Sequence, residues 1–111
     1  MTLEPTIYMF REKIAKDFAR AVKKFPKGTV VHAKYRIGED STGDPAIYFN
    51  IVLSDEASRD ESLSGVTRRI RNILSDEMNP YDNWGLFPYP SFRSETEYKT
   101  IKDPEWTFGV S

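Results

Sequence analysis

Two runs of strict alternation flank a segment built to turn, and this arrangement constrains the fold more than any other feature of the chain. Residues 29 to 37 place Val31, Ala33, Tyr35 and Ile37 on one side and Val30, His32, Lys34 and Arg36 on the other. That period of two marks a half-buried strand. Gly38 to Pro45 read Gly-Glu-Asp-Ser-Thr-Gly-Asp-Pro, a turn by composition. Residues 46 to 54 then return in β-branched and aromatic side chains, which suit a second strand. Pairing Ile37 with Ile47, Tyr35 with Phe49, Ala33 with Ile51 and Val31 with Leu53 keeps all eight on one face. A slip of one residue would turn a whole strand over, so burial predicts this register.

One apolar sheet face needs a cover, and two helical stripes supply it. Between residues 5 and 25, Ile7, Phe10, Ile14, Phe18, Ala21, Val22 and Phe25 fall within about a 120° arc at 100° per residue. Pro5 suits the first turn of this helix, and Pro26 with Gly28 ends it. Leu63, Val66, Ile70, Ile73, Leu74 and Met78 recur at the same spacing up to Asn79 and Pro80. Ser58 and Glu61 have the form of a capping box before that second helix. Residues 86 to 93 are extended, yet Pro88 and Pro90 lack amide hydrogens along the same edge, so that edge is expected to be unpaired. Ser94 and Glu97 form a second capping box, predicting a short final helix before Asp103 and Pro104.

The predicted fold class is α+β in the order α-β-β-α-β, with a short final α. It is a two-layer sandwich with two helices on one face of a three-stranded mixed sheet and the other face solvated. A right-handed crossover through the second helix sets the last strand parallel to the one before it, with the proline edge outermost. The 111 residues make a single domain at residues 1–111. With 39% apolar and 14% aromatic residues the chain can fill a core without staples. The element order is that of the type II KH-like fold and of several unrelated small α+β proteins. The similarity is topological, because the Gly-x-x-Gly turn with which KH domains clamp nucleic acid has no counterpart in residues 60 to 80.

Composition excludes much chemistry. There is no cysteine and one histidine, which removes thiol catalysis, zinc fingers and iron–sulfur ligation. Walker, Gly-x-Ser-x-Gly and His-Glu-x-x-His patterns are absent, so no catalytic residue, cofactor or metal is assigned. The longest apolar run, Ala46 to Leu53, is broken by Asn50 and is far shorter than the ~20 residues of a membrane span. Without a secretory leader pattern, the chain is expected in the cytoplasm.

The net charge of −1 conceals a segregation. Residues 1 to 37 carry nine basic and three acidic side chains, and residues 38 to 62 carry one and seven. On the first helix Lys13, Lys16, Arg20, Lys23 and Lys24 form a ridge opposite the apolar stripe. Such a ridge is either a solvated face or a footprint for nucleic acid or an acidic partner protein. The outward hairpin residues Lys34, Arg36 and Tyr48, beside His32 and Asn50, mix cations with one aromatic in the manner of base-stacking sheets. Glu39, Asp40 and Asp44 crowd the turn, but the fixed spacing and closing carboxylate of a calcium loop are missing. Eight of the fifteen aromatics lie between residues 81 and 108. Among them Phe87, Tyr89 and Phe92 flank the two prolines as a stiff, adhesive strip suited to a protein contact.

These features lead to a small non-catalytic interaction protein of bacterial or phage type. It acts as an adaptor, inhibitor or regulatory partner of another protein through the basic ridge or the aromatic edge. The alternative is an RNA- or DNA-binding module using the ridge with Lys34, Arg36 and Tyr48. A third reading is a metal-dependent enzyme built on the 39–44 loop.

Overall fold

The computed structural model describes residues 8–108; Pro5 and Ile7 of the first predicted helix lie outside them. Helix α1 (Arg11–Lys24) precedes a hairpin of β1 (Val30–Glu39) and β2 (Pro45–Leu53). Helix α2 (Asp60–Met78) and a five-residue helix α3 (Pro80–Trp84) lead into β3 (Phe87–Ser94). Helix α4 (Glu95–Thr100) and a 3-10 turn (Pro104–Trp106) follow. The sheet runs β1-β2-β3, antiparallel between β1 and β2 and parallel between β2 and β3. The α+β class, the strand order and the mixed pairing are those predicted.

Tyr8 and Met9 are helical, and the backbone turns at Phe10 (φ −97°, ψ 2°) before the regular helix runs on from Arg11. It ends at Phe25, whose extended ψ of 144° is what a following proline imposes. From α1 the core takes Ile14, Ala21 and Phe25. From α2 it takes Ile70, Leu74 and Met78, and from β2 Ile47, Phe49, Ile51 and Leu53. Phe18 reaches between the layers, with its ring 4.9 Å from Tyr35 and 5.9 Å from Phe49.

Three local expectations are corrected. Val30, not Val31, pairs with Leu53, because a bulge between Val30 and His32 inserts one residue into β1. Val31 is 39% exposed while Val30 packs against the core, as a bulge places two residues opposite one. Ser58 is not a cap: α2 begins after Arg59 without a side-chain cap. The Ser58 hydroxyl instead donates to the Ser54 carbonyl, closing the turn before the helix. Finally, Asn79 adopts left-handed φ 42° and Pro80 starts the unpredicted α3 at once, using the fixed φ that suits a first helical position. The capping box of Ser94 and Glu97 is present in both halves.

The outer face of the sheet is not fully solvated. Residues 103–108 cross it as a strap, and Asn50 and Val52 on that face of the central strand are buried, as is Trp106.

Candidate interaction surface

Strand pairing arranges the outer face in rows. Arg36, Tyr48 and Tyr89 stand in one register row, Lys34, Asn50 and Ser91 in the next, and His32, Val52 and Arg93 in the third. The strap takes the second and third rows. The Lys34 ammonium donates to the Thr107 carbonyl at 2.9 Å, and the Asn50 amide donates to the Glu105 carbonyl at 2.6 Å. The Arg93 guanidinium lies 4.5 Å over the Trp106 ring and pairs with Asp103 at 3.1 Å. His32 stacks on Phe108 at 5.2 Å. Arg36 reaches the Glu105 carboxylate at 3.1 Å.

The first row remains more open. Arg36 lies 4.3 Å over Tyr48, and Tyr48 stacks on Tyr89 at 5.4 Å. A second aromatic therefore joins Tyr48 on this face, supplied by β3. The rings stand one against the next, so Tyr48 spends its faces on Arg36 and Tyr89 rather than offering one to a base.

The proline-flanked strip divides between the two faces of β3. Phe87 and Tyr89 point outward, 37% and 41% exposed, and Phe87 packs at 4.7 Å against Tyr81, itself 53% exposed. Phe92, of opposite parity, lies on the helix side, half-buried, with the Arg71 guanidinium 5.2 Å above it. Among the described residues β3 pairs only with β2. Pro88 and Pro90 deny its free edge two of the donors that a further strand would need.

The ridge is largely paired. Asp17, only 2% exposed, accepts from Lys13 at 2.9 Å and from Arg20. Glu77 of α2 accepts from Arg20 at 3.1 Å and from Lys24 at 2.7 Å. These bonds hold Arg20 above its ordinary pKa, chiefly through Asp17, and Glu77 below its own, chiefly through Lys24. Among the described residues Lys16 and Lys23 make no ion pair.

In the hairpin loop, one Asp40 oxygen accepts from the Thr42 amide at 2.9 Å, the Thr42 hydroxyl at 2.6 Å and the Asp44 amide at 3.0 Å. The other accepts from the Tyr89 hydroxyl at 2.8 Å. The carboxylate organises the turn, and among the described residues no group of three His, Cys, Asp or Glu is placed to hold a metal ion. The Thr42 and Tyr89 hydroxyls lower the Asp40 pKa from 3.8 to about 2. A depressed folded-state pKa means that this contribution is complete above the unfolded value and is lost as pH falls through the folded one. The loop is thus expected to loosen between about pH 4 and 2. Tyr89→Phe should move the Asp40 midpoint upward in a carboxyl-carbon NMR titration, and an unmoved midpoint would deny the Tyr89 bond.

No protein family, curated protein or solved structure matches this chain. No helix among the described residues is long and apolar enough to cross a membrane.

Proposed function

We propose that this chain is a non-catalytic cytoplasmic adaptor or inhibitor, a small protein of bacterial or phage type that binds another protein through the free edge of β3. The observation that carries this reading is the exposed aromatic cluster of Tyr81, Phe87 and Tyr89 on an edge whose two prolines disfavour strand addition. Aromatic side chains dominate the energetics of protein contacts. A partner here meets side chains rather than a backbone ladder. The alternative, nucleic-acid binding, is less supported. Lys13, Arg20 and Lys24 are already engaged by two carboxylates, Asp17 and Glu77, while Lys34 and Arg36 are engaged by the strap. The acidic-loop enzyme reading has the least support, since Asp40 already accepts four hydrogen bonds.

The test is capture from lysate, with and without nuclease treatment, using three baits: wild type, Phe87→Ser with Tyr89→Ser, and Lys16→Glu with Lys23→Glu. One polypeptide recovered by the first and third but not the second is expected. Retention by the serine bait with loss on the glutamate bait would transfer the contact to the helix ridge. Material lost on nuclease treatment would establish the nucleic-acid reading instead.

A further inference from the structure

The helix side of β3 is as unusual as its edge. Between α2 and β3 run two cavities that share Arg71 and Pro90 in their walls. The narrower, of about 390 Å³, is bounded by Phe49, Leu74, Pro80, Tyr81 and Pro88. The wider, of about 740 Å³, sets Leu63 and Phe92 among mostly polar side chains, several serines and Arg93 with them, and carries Asp60 and Glu97 towards its rim. The pattern has a simple origin. Leu63, Thr67, Arg71 and Leu74 follow one another at helical spacing on the side of α2 that faces β3. The β3 positions opposite, Pro88, Pro90 and Phe92, have the inward parity. Prolines are short, so they leave open the space that longer side chains would fill.

The charge distribution is specific. Arg71 is exposed and makes no ion pair or hydrogen bond among the described residues, and its guanidinium is held over the Phe92 ring at 5.2 Å. It is a positioned cation with unused donors, set where the apolar lobe meets the polar one. Tyr81 lines the narrower lobe and packs on Phe87, so the groove is continuous with the aromatic edge.

We infer that the groove between α2 and β3 receives a segment of the partner protein that sets an aliphatic or aromatic side chain into the narrower lobe and an adjacent Asp or Glu carboxylate on Arg71. This rests on the reading of β3 as a protein-contact edge and names the chemistry of what is bound. A carboxylate fits better than a phosphate, because Arg93 in the wider wall is already paired with Asp103, while Asp60 and Glu97 on its rim would repel a second negative charge. They favour a Lys or Arg further along the same segment. The guanidinium fork matches a carboxylate in two parallel hydrogen bonds.

The experiment uses a library of random dodecapeptides displayed on phage, panned separately against the 111-residue chain and its Arg71→Glu variant. Arg71 is exposed, so the variant should keep the wild-type melting temperature. Wild type is expected to enrich peptides with Asp or Glu beside a large apolar residue. The variant should lose that enrichment and favour Lys or Arg at the same place. A synthetic peptide from the wild-type pool should bind Arg71→Glu roughly tenfold or more weakly, as expected for loss of a hydrogen bond to a charged group. Its amide shift changes should fall on α2 and β3. Recovery of no enriched peptide, or of peptides indifferent to Arg71→Glu, would overturn the groove assignment. Such a failure is distinguishable from failure of the edge reading, which is judged by the serine bait at Phe87 and Tyr89.

Discussion

Phe49→Ala is expected to destabilise the protein by about 3 to 5 kcal/mol, the range for removing a buried aromatic ring from a packed core. Phe49 is fully buried on the central strand, pairs with Tyr35 across β1 and with Pro90 across β3, and stacks on Phe18. Every layer of the sandwich therefore meets this ring, and little can move into the space it leaves. For a domain of 111 residues a loss near 4 kcal/mol corresponds to a fall of about 15 °C in Tm. Because total stabilities are only about 5 to 15 kcal/mol, much of the population could unfold at modest temperature. Urea melts compared at equal slope measure the effect. A midpoint within error of wild type would mean that the two layers do not close on this residue. Phe18, on the apolar stripe of the first helix, is half-buried and should cost less.

Trp106→Ala is expected to cost about 3 kcal/mol, at the lower end for a buried tryptophan, with a different signature. Trp106 is buried and covers Arg93, while its neighbours Glu105 and Thr107 hold Asn50 and Lys34 by their carbonyls. Loss of the ring should free residues 103–108 together and speed amide hydrogen exchange there well beyond the change elsewhere in the chain. Chemical shifts of His32, Lys34 and Asn50 should move with it, while those of Ile14, Ile70 and Met78 on the opposite face should change little. Uniform loss of protection across the molecule would instead make the strap inseparable from the core.

The parts of this fold readable in sequence are those that repeat. The hairpin, both long helices and the parallel third strand follow from periods of two and of 3.6, with handedness supplying the crossover. The bulge is not legible, because Val30 and Val31 are identical side chains and alternation cannot say which points inward. Helix α3 has five residues, too few to show a period. The strap carries no local pattern, and its hydrogen bonds to the hairpin join residues 55 and 73 positions apart.

The site was legible in part. Phe87, Tyr89 and Phe92 were identifiable as unusual, and parity alone could have separated Phe92 from the other two. The ridge was readable as an arc, and Lys13 and Arg20 are spaced to reach Asp17 along one helix. Glu77, which pairs with Arg20 and Lys24, lies on another helix, so its hold on the ridge required the packed structure. Tyr89 joins Tyr48 only once the parallel register of β2 and β3 is known. Arg71 carried no signal at all, since its isolation depends on two prolines from a different element.

The strap also has a mechanical consequence. It crosses β1 at His32, Lys34 and Arg36, β2 at Asn50 and β3 at Arg93, tying together two outer strands that never touch each other in the sheet. Tension applied beyond residue 108 would load these ties one after another, beginning with Phe108 and Thr107 and ending at Asp103. The backbone ladder would bear load only after residues 103–108 had peeled away, releasing about 20 Å of extended chain. The segment 103–108 thus acts as a fuse in series with the sheet, yielding first and leaving the helix layer and the core unstrained.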